Sequence, residues 1–429
     1  MAPLSFIHKI LLLASTLTSF TQALTIPSNN KRQSCENGPG SRNCWSDGFD
    51  IDTNYYNSWP DTGNTVSYDL HVTDTFCNPD GSGGKICQLI NGQTPGPVIH
   101  AQWGDTISVT VHNELNYNGT AIHWHGIRQL HTNEQDGTNG VTECPTPPGT
   151  SKTYTFKATQ YGTTWYHSHH TAQYGQGVVG AIVIDGPSTA NYDEDLGVLP
   201  LTDWYYKSVY ELLPGIMTIP GPPAPPDTVL VNGTMVDGNG NGQYQKLNVQ
   251  PGKKYRLRFV NTAMDHLFHV SLDGHPFTVI EADFVPIQPY QTTDLKINVG
   301  QRYDVVFEAN QNSGNYWLRV GSPAPGPGGA LICGGAVVYS KNTTVVGAIV
   351  SYEGSGETWP TSSGYANDGS CRDEVIAPHF TTPMSGGYKL DALNITLTGP
   401  SSKVVNWFVN GSSMNSESLL TTLIHGVCH

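Results

Sequence analysis

The sequence predicts an all-β protein built from tandem sandwich or barrel domains, and three observations carry that expectation. Charged residues are only 13% of the 429-residue chain, whereas Gly (47) and Pro (29) are abundant, a balance suited to short strands joined by many turns. Short apolar runs end repeatedly in Asn-Gly, the signature of a strand entering a tight turn. One such unit recurs along the chain, whose length allows two or three domains, each able to bury a core.

The chain opens with a segment that reads as an export signal, residues 1–23. Lys9 supplies its positive end and "ILLLASTLTSF" (Ile10–Phe20) its apolar stretch, too short to span a bilayer. Small residues at Thr21 and Ala23 suit cleavage after Ala23. Residues 24–32 read as a propeptide ending in Lys31–Arg32, which would start the mature chain at Gln33; the alternative is an exposed basic pair in a leader. No later stretch has the long apolar run of a membrane helix. A net charge of -14 argues against nucleic acid and anionic membrane surfaces as partners, since both need a basic footprint.

Export gives the eight cysteines a meaning. The close pairs Cys35/Cys44 and Cys77/Cys87 are natural disulfides, and Cys333/Cys371 is the next candidate pair. Cys144 and Cys428 are left over, and no Cys-x-x-Cys argues for zinc. Asn118, Asn232, Asn342, Asn394 and Asn410 each head an Asn-x-Ser/Thr triplet, fitting a glycosylated surface.

The repeat organises the rest. "QLINGQTPGPVI" (Gln88–Ile99), "TVLVNGT" (Thr228–Thr234) and "NWFVNGSS" (Asn406–Ser413) are three openings of one unit. In the first two, a turn and an alternating strand follow: "QWGDTISVTVHNEL" (Gln102–Leu115) and "VQPGKKYRLRFVNT" (Val249–Thr262). The expected domains are residues 33–187 and 188–345, then a Gly/Ser-rich linker at 346–375 and the shortened start of a third domain at 376–429. "IPGPPAPPD" (Ile219–Asp227) reads as a stiff polyproline-like loop inside the second domain.

Two histidine pairs carry the chemistry. In "AIHWHGIRQ", His123 and His125 stand two apart, and in "WYHSHH" so do His167 and His169. On a strand such residues point to one face, so four imidazoles converge if the two strands share a sheet. An all-nitrogen set without thiolates or carboxylates favours copper over zinc or iron. A single His-x-His is commonplace; two, both beside aromatics at one place in a β unit, are not. The second repeat has Leu318–Arg319–Val320 where the first has His167–Ser168–His169, a version without ligands. His100, His112, His131, His269 and His275 are expected on the surface or in local hydrogen bonds.

"HWHGIRQLHTNEQDGTNGVTECP" and "TTWYHSHHTAQYGQGVVGAIVI" resemble the first domain of multicopper oxidases of the ascomycete laccase type, and the resemblance runs from about Cys35 to Asn415. It implies tandem cupredoxin-like Greek-key β-barrels, two complete and a stub of a third, and copper as cofactor. It also implies one-electron oxidation of small phenols coupled to reduction of O2 to water. By motif position His123 resembles the type 2 copper ligand, and His125, His167 and His169 resemble ligands of the type 3 pair. Asp136 in "NEQDGTNG" resembles the carboxylate that manages protons beside the cluster; the alternative is an ordinary Asp-Gly turn. Asp265 in "NTAMDHLFHV" lies where such enzymes place a carboxylate that accepts the phenol's proton; the alternative is a solvated loop aspartate.

The family's third-domain motifs, His-Pro-x-His-x-His and the His-Cys-His that holds type 1 copper, do not occur in the sequence. The resemblance stops at Asn415, and "SESLLTTLIHGVCH" follows, which reads as a frameshift, a retained intron or a shortened gene model. The expectation is therefore a secreted, monomeric laccase by family, with lignin breakdown among its roles, whose literal chain is inactive alone. The alternatives are a secreted copper-binding or interaction protein without turnover, and a related ascorbate or metal oxidase.

Overall fold

The computed structural model describes residues 35–46, 48–218, 225–325, 331–336, 345–356, 359–360, 376–381, 395–398, 406–409 and 412–413. The signal and propeptide, most of the Pro-rich loop, Cys371, Cys428, Asn342, Asn394 and Asn410 lie outside these, as does the side chain of Cys333.

Beside a short hairpin of Cys44–Ser46 with Phe49–Asp50, the first domain has eight described strands in its main sheets: β1 Thr65–Cys77, β2 Lys85–Ile90, β3 Gly96–Gln102, β4 Thr106–Asn113, β5 Ile122–His125, β6 Ser151–Lys157, β7 Gly162–Ser168 and β8 Val179–Asp185. They form two four-stranded sheets, ordered β2-β1-β4-β6 and β3-β8-β7-β5. One parallel pair closes each sheet, β1 with β4 and β3 with β8, and the other contacts are antiparallel. Strict alternation along β4 turns Ile107, Val109 and Val111 inward. There they meet Trp103, Trp124, Tyr154, Phe156 and Ile182 between the sheets.

The second domain repeats this order. Its strands are β9 Glu194–Trp204, β10 Thr228–Val231, β11 Lys246–Val249, β12 Lys254–Asn261, β13 Phe268–Leu272, β14 Phe277–Ala282, β15 Val285–Thr292, β16 Leu295–Ile297, β17 Arg302–Glu308, β18 Asn315–Gly321 and β19 Gly347–Tyr352. The sheets run β10-β9-β12-β17-β14-β15 and β11-β19-β18-β13-β16, again with one parallel pair each, β9 with β12 and β11 with β19. The strands that open the two units, β2 and β10, end in the same turn. Asn91–Gly92 has φ of 52° and 74°, and Asn232–Gly233 has 50° and 76°, so both central residues are left-handed as a type I′ turn requires.

The second domain extends beyond the expected boundary at 345. The stretch 347–352 is not linker but β19, which pairs with both β11 and β18 and buries Ala348, Val350 and Tyr352. It completes the sheet that Lys246–Val249 alone could not close. Among the described residues one α-helix, α1 (Val209–Thr218), interrupts the all-β pattern. In the third unit, Ile395–Thr398 pairs antiparallel with Asn406–Val409, which pairs with Ser412–Ser413.

The disulfides Cys35–Cys44 and Cys77–Cys87 form as expected. Cys144 is also disulfide-bonded, so it is not a free thiol.

Candidate metal centre

β5 and β7 lie side by side, antiparallel, with His123 directly opposite His167 and His125 opposite Trp165. The period of two puts His123, His125 and His167 on one face and Trp124 on the other. Trp124 is fully buried against Tyr154, Phe156 and Tyr166, which fixes the strand's register: a slip of one residue would exchange indole and imidazole.

The four rings gather closely. His123 stands 5.7, 5.4 and 5.6 Å, centroid to centroid, from His125, His167 and His169. One ring nitrogen from each of His123, His125 and His167 falls within 4.8 Å of the others, and among the described residues no other such group of three forms. His169 stands just past the end of β7 and is the exposed member.

Hydrogen bonds decide which nitrogens are free. His123 Nδ1 lies 2.8 Å from the Asp136 carbonyl oxygen, and His167 Nδ1 lies 3.1 Å from that of Ser168. A carbonyl only accepts, so both Nδ1 atoms carry protons and both Nε2 atoms keep lone pairs. His125 Nδ1 faces His167 Nε2 at 3.3 Å. Two metal–nitrogen bonds of about 2.0 Å meeting at a tetrahedral angle set their nitrogens about 3.3 Å apart. The donor set therefore fits a small, imidazole-seeking ion such as copper.

The protonation states agree. Burial, helped by the Arg302 charge, pulls the His125 pKa down to about 3. Burial and then the neighbouring His125 push His167 well below its ordinary value, and burial with His123 lowers His169. His123 differs: burial pulls it down, but the Asp136 hydrogen bonds outweigh that and its net shift is upward. Burial raises Asp136, yet the His123 and Thr138 hydrogen bonds prevail and hold it below the ordinary carboxylate range. Its Oδ2 lies 3.4 Å from His123 Nδ1 and accepts the Thr138 hydroxyl at 2.6 Å.

Around the rings, Trp165 stacks on His167 at 4.1 Å and lies 5.0 Å from His125. Its other neighbours, Val179, Ala181 and Val183 of β8 with Val198 and Val260 of the second domain, make an apolar seam between the domains. The imidazole face is thus turned toward the second domain. There Thr163, at the start of β7, meets four side chains. Its hydroxyl lies 2.9 Å from both Asp304 and Arg258, its N–H donates to Glu281 at 3.1 Å, and its carbonyl accepts from Arg302 at 3.2 Å. Arg256 joins Glu281 to Asp304 in the same buried network.

Asp265 lies away from β5 and β7, in the loop after β12. Buried Asp203 accepts the N–H groups of Met264 and Asp265 at 2.8 and 3.2 Å and pairs with His266 at 3.2 Å. Burial raises the Asp265 pKa, and Asp203 adds to the rise against His266. Tyr174 stands between the two places: its ring is 5.4 Å from His167, and it feels the charges of Asp203 and Asp265.

Of the remaining histidines, His269 and His275 are only 1% and 2% exposed, not on the surface. His269 pairs with Asp294, and His275 is held by the Asp273 carbonyl and the Tyr352 hydroxyl. The corresponding stretch of the second domain holds no histidine: Leu318 and Val320 are buried in its core, and Arg319 forms a two-pronged ion pair with Asp273. Thr163, Glu281, Gly300 and Arg302 carried no sequence signal for this site, because their partners lie more than a hundred residues away.

Two family models, both described as multicopper oxidase, match residues 71–189 and 195–354. The chain is 45% identical over 419 residues to a laccase of Cryphonectria parasitica, covering 95% of this chain and 68% of that one. It is 45% identical over 392 residues to laccase-1 of Melanocarpus albomyces, covering 89% of this chain and 61% of the relative. The crystal structure of laccase from Botrytis aclada superposes with a TM-score of 0.80 at 41% identity, over 91% of this chain and 72% of that one. The chain thus spans roughly two thirds of the length of these proteins, and it belongs to the multicopper oxidase family, on its fungal laccase branch.

Proposed function

We propose that this chain carries the first-domain copper ligands of a laccase-type oxidase, which oxidises small phenols by single electrons and reduces O2 to water. The observation that supports this most is the pairing of β5 with β7, which brings His123, His125 and His167 to one face with ring nitrogens within 4.8 Å. In this reading His123 is the type 2 ligand, through Nε2. His125, His167 and His169 are type 3 ligands, with His125 using Nδ1 and His167 using Nε2. We assign no type 1 ligands to residues of this chain.

Copper bound here supplies one-electron redox chemistry, which imidazole ligands tune. The protein's own groups orient, exclude water and move protons. The Asp136 and Ser168 carbonyls hold the His123 and His167 tautomers, and Trp165 shields the His125–His167 edge from water. Asp136, ionised and half-buried beside His123, takes up and returns protons at its Oδ2, with the Thr138 hydroxyl as the adjoining donor. Asp265, held by the Asp203 clamp, faces the phenol and accepts its hydroxyl proton.

The protein acts as a secreted monomer, and the two described disulfides support an oxidising compartment. Asn118 and Asn232 are exposed, as glycan carriers must be. Among the described residues no helix is long and apolar enough to cross a membrane. The test is a Cu(II) titration of the metal-free chain followed by electron paramagnetic resonance. A nitrogen-split signal that His123→Ala and His167→Ala each abolish supports the assignment; a signal unchanged in both variants sinks it.

A further inference from the structure

The ligand strands belong to the first domain, yet the ring of His125 rests on the second. Gly300, in the turn before β17, has φ of +80°, and its N–H donates to the Asn261 carbonyl at 2.9 Å. A Cβ placed there would stand 3.1 Å from His125 Cε1 and 3.3 Å from its Nε2. Of those atoms Cε1 is bonded to Nδ1, the nitrogen that faces His167, so the contact lies beside that nitrogen. Gly300 is therefore a backstop: a Cβ there would press on the imidazole, at a backbone angle that favours glycine.

Arg302 sets where that backstop stands. It is 5% exposed, and its Nη1 donates to the Gly300 carbonyl at 3.2 Å and pairs with Asp283 at 2.8 Å. Asp283 also accepts the Arg302 N–H at 2.9 Å, so the turn is locked on both sides of Gly300. Its Nε reaches across the domain boundary to the Thr163 carbonyl at 3.2 Å, on the strand that carries His167. The far end of the guanidinium lies over Gly126, the residue after His125, where a Cβ would come within 2.6 Å of Nη2. One planar fork thus touches both ligand strands and the His125 backstop. A lysine ammonium keeps the charge but has neither the plane nor the spread of donors.

We infer that Gly300 and Arg302 of the second domain are positioning residues that fix the His125 imidazole, and with it the His125–His167 nitrogen pair, for metal binding. The inference rests on the reading that these histidines hold copper. It makes the second domain part of the metal site's support rather than a passive spacer, and groups that support a ligand this way are worth tenfold or more in metal affinity.

The experiment compares Gly300→Ala and Arg302→Lys with Gly252→Ala in the full chain. Gly252 has φ of +82° and open space around its Cβ position, so it carries the same backbone penalty without touching a ligand. Three quantities are measured: Cu(II) affinity by competition with a chelator, the His125 Cε1–H resonance in the metal-free protein, and the melting temperature. Gly300→Ala is expected to shift the His125 resonance and weaken copper about tenfold. Arg302→Lys does both to a smaller degree, and Gly252→Ala lowers only the melting temperature. If Gly300→Ala and Arg302→Lys behave like Gly252→Ala, with resonance and affinity unmoved, the positioning role is wrong. If His125→Ala binds copper as well as the parent chain, the copper reading has failed, and the His125 resonance alone then decides the positioning claim.

Discussion

Replacing Asp136 by Asn separates the two ways this residue touches His123. The main-chain carbonyl accepts from Nδ1 at 2.8 Å and survives any substitution of the side chain, so the His123 tautomer is retained. The carboxylate oxygen lies at 3.4 Å, a longer contact that adds a weak hydrogen bond and its charge to the ring. An Asn carbonyl oxygen can still take the Thr138 hydroxyl, now 2.6 Å from Oδ2, so the loop stays anchored. Losing a group behind a metal-binding histidine costs roughly 10- to 100-fold in affinity. With the tautomer intact the low end applies, about tenfold or about 1.4 kcal/mol. Competition titration of Cu(II) against a chelator of known affinity, on the parent chain and Asp136→Asn, measures it. A hundredfold loss would show that the carboxylate, not the carbonyl, governs the tautomer. A change under about twofold would show that its charge is not felt; either outcome refutes the reasoning.

Other consequences are as specific. Thr163→Val keeps the shape of a fully buried side chain but removes a hydroxyl shared by Asp304 and Arg258. A loss of about 2–3 kcal/mol in guanidinium unfolding is expected, since hydrogen bonds to charged groups are worth about 1.5–3 kcal/mol each and Arg258 keeps its pairing with Asp195. Glu281 is fully enclosed, and burial together with the Asp304 charge pushes its pKa upward, to about 8. Its folded value exceeds its unfolded one, so its contribution is complete below the unfolded pKa and is lost as pH rises through the folded value. The melting temperature should therefore fall from mildly acid pH toward pH 8, and Glu281→Gln should flatten that slope; an unchanged slope would count against the assignment. Trp124→Ala empties the core behind β5 and should cost about 3–5 kcal/mol in the same unfolding assay. It should also weaken copper binding, because the register of both histidines depends on that indole.

The parts of the site legible in the sequence are those written in local period. His123/His125 and His167/His169 stand two apart, and a strand leaves no choice about their facing one way. The Asn-Gly turns at 91–92 and 232–233 likewise announce themselves, because few other pairs take two left-handed residues in a row. What the sequence withheld is cross-chain register. Nothing in "IHWH" or "WYHS" says that His123 pairs with His167 rather than with Tyr166 or Ser168; the burial of Trp124 decides it. The second domain's contribution was equally hidden. Nothing in "KKYRLRFVNT" announces that Arg256 and Arg258 are both 2% exposed and paired with Asp195 and Asp304. His269 is buried against Asp294, which the sequence does not place beside it, whereas His275 makes a local hydrogen bond, to the Asp273 carbonyl. The domain boundary was misjudged because β19 follows the long interval after β18, and its place inside the sheet shows only once β11 and β18 lie on either side of it.

The central claim, that imidazoles of β5 and β7 together bind copper, is tested most directly by X-ray absorption at the copper edge of the copper-loaded full chain. The account predicts a nitrogen shell at about 2.0 Å with the outer-shell scattering of imidazole rings. It also predicts that His125→Ala and His167→Ala each remove part of that imidazole signal, because their nitrogens face each other at 3.3 Å. An oxygen-dominated shell, or an imidazole signal the same in both variants as in the parent chain, would contradict it.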